Sequence, residues 1–108
     1  MREHTWSVFQ RGGGHPAKLV WALKEHLEAR GFRIGRVVRT DWGFRIELPG
    51  MELLLAEHAV EPGLLELRLR TKGRLSAVLA RARMAKAADA VDEFLENKPE
   101  LTLVGAEA

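Results

Sequence analysis

Residues 44–70, FRIELPGMELLLAEHAVEPGLLELRLR, decide the fold. Phe44, Ile46 and Leu48 alternate with Arg45 and Glu47, and Leu65, Leu67 and Leu69 alternate with Glu66, Arg68 and Arg70. A period of two puts one set on each face of a strand. Pro49-Gly50 and Glu61-Pro-Gly63 are turn residues between these segments, and Met51 to His58 reads as the strand between them. Upstream, Phe32, Ile34 and Val38 alternate with Arg33 and Arg39, and Thr40-Asp-Trp-Gly43 predicts a type I turn closed by a left-handed glycine. The expected unit is a four-stranded antiparallel meander with one apolar and one charged face.

Working outward, Thr5 to Gln10 predicts an N-terminal strand that stops at Arg11-Gly-Gly-Gly14. Pro16 at a first helical position and Gly31 after the last periodic residue bracket a helix from about 16 to 30, with Leu19, Val20, Leu23 and Leu27 as its buried stripe. A second helix is expected from about Arg74 to Asn97, stopped by Pro99, and Leu101, Leu103 and Val104 form either a short edge strand or part of a loose tail from about residue 100. The predicted fold class is α+β: the meander plus an N-terminal strand, with two helices packed on one sheet face. At 108 residues the chain is one domain.

Composition restricts the chemistry. With no cysteine there is no disulfide, and no CxxC, HxxxH or HExxH spacing offers a metal site. His15 and His26 lie three turns apart on one helix, about 16 Å, too far to chelate together. Tyrosine is absent, serine occurs only at Ser7 and Ser76, and no nucleophile, base and orienting group share a recognisable spacing. The expectation is a non-enzymatic protein with no metal and no cofactor. No apolar run approaches the ~20 residues of a membrane span, and the start lacks a signal peptide's apolar stretch, so a soluble, cytoplasmic protein is expected. Twelve arginines against five lysines suit a GC-rich or heat-adapted bacterial source.

Three features point to partners. Ala77, Ala80, Met84, Ala87, Val91 and Phe94 form a seam on the second helix, while Leu75, Val78, Leu79 and Ala82 form another stripe. A helix apolar on two sides must be buried on both, by the first helix or by a second copy. Ala77, Ala80 and Met84 are the candidate homodimer contacts. Trp21 on a polar helix face and Trp42 at a hairpin tip are candidate anchors for a protein partner.

The third feature is charge. Although net charge is only +2, seven basic residues and no acidic one lie between Arg68 and Lys86, ahead of Asp89, Asp92, Glu93 and Glu96. Cations at a helix start oppose the macrodipole unless an anion is bound there. Arg70, Lys72, Arg74, Arg81 and Arg83 are therefore candidate nucleic-acid contacts, set against a solvated face that pairs locally. Arg11 and His15, flanking the glycine run, are candidate anion ligands, set against a merely flexible connection.

From Pro16 to Asn97 the order of helix, antiparallel strands and basic-start helix is loosely similar to double-stranded RNA-binding domains, which implies phosphate contacts from the second helix. The chain departs from that family by an extra N-terminal strand, a fourth meander strand, and Gly73-Arg74-Leu75-Ser76 in place of a lysine-rich helix start, so no binding residue carries over. The reading is a small interaction module of adaptor, immunity or antitoxin type, self-associating through its second helix. The alternative is a nucleic-acid or phosphate binder.

Overall fold

The computed structural model describes residues 3–13, 15–73 and 77–107. The elements are β1 (Glu3–Gln10), α1 (Pro16–Ala29), β2 (Val37–Arg39), β3 (Gly43–Leu48), β4 (Met51–Glu57), β5 (Leu64–Thr71), α2 (Ala77–Glu96) and β6 (Leu101–Glu107). The strands form one antiparallel sheet in the order β2-β3-β4-β5-β1-β6. The meander is thus β2 to β5, with β1 beside β5 and β6 outermost.

Strand register puts the alternating apolar residues on one face. Ile46 lies opposite Leu53 and Leu53 opposite Leu69, while Leu67 lies between Leu55 and Trp6. Both helices cover this face, α1 over β3 and α2 over β5 and β6, and they pack on each other. Leu23 and Leu27 of α1 join Val91 and Phe94 of α2 and the inward strand residues in one core.

Polar contacts fix the helices in place. The Trp6 indole Nε1 donates to Asp92 Oδ1 at 2.7 Å, tying α2 to the sheet. Arg30, just past α1, forms an ion pair with Glu93, and His26 Nε2 lies 3.7 Å from the same carboxylate. Two acidic residues in the second half of α2 therefore serve internal contacts.

Four details differ from the sequence reading. Residues 32–36 are not strand: after Gly31 (φ 89°) the Phe32 N–H donates back to Leu27 O at 3.0 Å, and the chain then tracks β3 through single bonds, Gly35 N–H to Glu47 O and Glu47 N–H to Arg36 O, both 2.8 Å. Phe32 and Ile34 alternate because they pack against the core, not because they join a regular ladder. Gly43 closes no left-handed turn. It starts β3 at φ 155°, and a Cβ there would overlap the Leu55 carbonyl, so glycine is required for close strand approach. Nor is the second sheet face uniformly charged, since Leu54 is buried on it. Finally, β6 is longer than expected and pairs with β1.

Ala80 and Met84, expected to meet a second copy, are each only 8% exposed because the chain's own core covers them. Ala77 begins the helix. The stripe turned outward is the other one, with Val78 80% exposed and Leu79 and Ala82 also at the surface. Leu75 lies outside the described residues.

Candidate functional site

The helices leave one sheet face uncovered, and the register determines what it displays. Leu54 lies between Arg45 and Arg68, and Ala56 between Gly43 and Glu66. Leu54 and Ala56 lie in a cavity of about 320 Å³ that is also lined by Trp42, Glu66, Arg68 and Arg70. Trp42 is held by its backbone: its carbonyl accepts from Glu57 N–H at 3.2 Å, and the adjoining turn is closed by Thr40 N–H to Gly43 O at 2.8 Å and Gly43 N–H to Thr40 Oγ1 at 3.1 Å. The ring is nevertheless 45% exposed. A large apolar group on a fixed backbone loses little conformational freedom on binding.

The charges on this face are mutually paired. Arg70 Nε donates to Glu52 Oε1 at 2.5 Å, and Glu52 is 5% exposed. Burying that carboxylate without its guanidinium partner would be costly. Arg68 donates to Glu66 at 2.7 Å and lies 3.3 Å from Glu3, yet its Nε is buried with no hydrogen bond. Nearby, Arg36 donates through Nε and Nη2 to both Glu47 oxygens at 3.2 Å. These hydrogen bonds hold the Glu47 carboxyl below its ordinary range and raise the Arg36 guanidinium. Because the folded value is depressed, this pair's stabilisation is present above the ordinary glutamate range and is lost as pH falls below it and through the lowered folded value.

The basic run is divided by the sheet. Arg70 lies on the helix-free face and Lys72 just beyond β5, its N–H bonded to Gly50 O at 2.8 Å. Arg81 and Arg83 are exposed on α2, which packs on the opposite side. Arg74 lies outside the described residues. Lys86 sits 5.5 Å over the Phe32 ring. Arg11 occupies a short turn, residues 11–13, after β1, and His15 precedes α1 without capping it through its side chain. Trp21 is 52% exposed, with the Lys24 ammonium 5.4 Å from its ring centre. Among the described residues, no three His, Asp or Glu side chains gather as a metal site, and no helix is long and apolar enough to cross a membrane.

Sequence reasoning missed Glu52, Leu54 and Ala56. Their signal is the unbroken run Leu53-Leu54-Leu55, which puts a leucine on the face that strict alternation reserves for polar groups. In comparison with known proteins, the chain matches no family model and no curated protein.

Proposed function

We propose that the protein is a non-enzymatic interaction module that binds a protein partner through its helix-free sheet face. The observation that carries this reading is Trp42, fixed by its backbone and half exposed beside an apolar floor, Arg68 and Arg70. Tryptophan and arginine around a small pocket are the residue types that dominate binding energy at protein interfaces. The test uses wild type and Trp42→Ala as paired baits in extracts of the source cells, then titrates each captured protein, purified, against both. Loss of an interface anchor of this kind costs about 2 kcal/mol or more, so Kd should rise at least about tenfold with the thermal melt unchanged. Equal binding of both baits by every captured protein would overturn the reading.

Self-association belongs to the same proposal, and the β6 edge supports it better than the α2 seam does. Its residues Leu101 to Ala106 carry no charge and no proline, and Val104 is 64% exposed. The opposite edge, β2, has three residues, follows Arg36 and ends in Arg39. Long uncharged edges are those that pair with another strand. A register shift between Ser7 and Val8 leaves Val104 as the extra residue of a bulge. With a two-fold axis through Val104, the two extra residues face each other and the Glu107 carboxylates stand roughly 20 Å apart. Sedimentation velocity up to hundreds of micromolar should show a dimer that Val104→Lys abolishes and Val78→Lys on α2 does not. A monomeric wild type, or a dimer that survives Val104→Lys, would refute the edge.

Among the described residues, the nucleic-acid alternative draws its support from Lys72 and from Arg81 and Arg83 on α2. Arg68 and Arg70, on the other side of the sheet, already have carboxylate partners.

A further inference from the structure

We propose that the partner element seated on the helix-free face is an amphipathic helix with one acidic flank, laid across the strands. The inference rests on that face being a partner surface and specifies what the surface takes. A second cavity, of about 480 Å³, is lined among others by Ser7, Glu57, His58, Val60 and Leu64. It shares Ala56 and Glu66 with the Trp42 cavity, so the two form one groove.

Register gives the groove its shape. Gly43, Ala56, Glu66 and Ser7 stand opposite one another in β3, β4, β5 and β1 and make its bed, three of them small. Across these four strands, at a spacing of about 4.8 Å, the bed runs roughly 14 Å, nearly three helical turns. Along one side stands the next row, Arg45, Leu54 and Arg68. Along the other stands the turn after β4, where Val60 is 85% exposed.

Backbone chemistry selects a helix for this bed. Each of the four strands is paired on both sides, so their ladder N–H and C=O groups are spent within the sheet. In the turn, His58 Nδ1 accepts the Val60 and Glu61 N–H groups at 3.3 and 3.0 Å. The groove therefore recognises through side chains and offers no strand edge. An extended segment lying there would bury backbone groups without partners, whereas a helix satisfies its own.

Charge selects the flank. Arg45 is the exception to the pairing on this face. Among the described residues it enters no hydrogen bond, and its one ion pair, 3.4 Å to Glu47 Oε1, is to an oxygen that already accepts from Arg36. Its Nε is buried without an acceptor, as is that of Arg68 across Leu54. A buried N–H is ordinarily satisfied, and two left over along one wall point to acceptors from outside the chain. The two side chains remain 32% and 41% exposed, open to a partner's carboxylates, which take a guanidinium through two N–H groups at once. Glu57 lines the turn side, so the acidic flank belongs on the arginine side alone.

Amide-detected NMR titrations test this with three synthetic peptides of about 14 residues, long enough for three turns. The first is an alanine-rich helix with leucine at every third or fourth position and glutamate along one flank. The second has glutamine for glutamate, and the third is the first with a central proline. The glutamate peptide should give saturable shifts at the Trp42 indole and at the Ser7, Ala56 and Val60 amides. Both other peptides should bind at least about tenfold more weakly. Arg45→Gln should weaken the glutamate peptide about tenfold and leave the glutamine peptide unchanged, with the rest of the spectrum in place. The proposal is overturned if the glutamate peptide gives no saturable shifts at millimolar concentration, if either control binds as tightly, or if Arg45→Gln weakens both peptides equally. Each of those results leaves Trp42 to its own bait titration. Equal binding of the glutamate peptide by wild type and Trp42→Ala would instead count against Trp42 as the anchor and leave the helix standing.

Discussion

Trp6→Ala is expected to cost about 3 to 5 kcal/mol, measured by chemical denaturation. The indole is fully buried, lies opposite Leu67 on one side and Ala106 on the other, and carries the His4 ring stacked on it at 4.1 Å. Two losses contribute. Truncation opens a cavity between sheet and helices, and Asp92 loses the donor that holds it at 2.7 Å. Asp92→Leu separates them, since it keeps the whole indole in the core and removes the carboxylate that accepts its N–H. It should cost about 1 to 3 kcal/mol, the range for a polar group left without its partner. A domain of this size has about 5 to 15 kcal/mol in all, so the alanine variant should melt far below wild type. A loss under about 1 kcal/mol for Trp6→Ala would mean that α2 is not docked over β1.

Leu67→Ala is the second large effect, expected at about 2 to 5 kcal/mol. Leu67 is fully buried at the middle of β5, and its neighbours across the strands, Leu55 and Trp6, are themselves buried. Strands on both sides prevent the backbone from collapsing into the vacated space, which places the cost well above that of a surface truncation. The denaturant midpoint should fall while the m-value stays constant, because the surface exposed on unfolding barely changes. A loss below about 0.5 kcal/mol would show that β5 is out of register.

The meander was legible in the sequence because β3 and β5 each bury one face, and a half-buried strand writes its orientation into every second residue. Residues 32–36 misled because Phe32 and Ile34 reach the core from an irregular segment, and spacing alone does not separate that from a ladder. The two stripes of α2 were equally visible, but nothing in the helix distinguishes Ala80 and Met84, which face the core, from Val78 and Leu79, which face outward. That choice is made by the sheet, through contacts distant in sequence. The basic run had the same difficulty: contiguous from Arg68 to Lys86, it crosses from a strand to a helix on the other side of that strand's sheet. Of the candidate sites, Trp42 was visible as an exposed aromatic at a turn, whereas the floor beneath it depends on the pairing of β4 with β5.

The position of β1 has a consequence for how the chain folds as it is made. Trp6 pairs with Leu67 and with Ala106, so this early strand is hemmed by two that are synthesised much later. While ribosomes add residues at about 5 to 20 per second, α1 and the hairpins of β2 to β5 can form from neighbours, but β1 has no partner until β5 emerges and no second partner until β6 does. Closing those long loops is slow relative to hairpin formation. The nascent domain therefore exists for a time as a meander with an unpaired apolar segment trailing from α1, and its window of vulnerability to chaperones and proteases ends only when β6 docks.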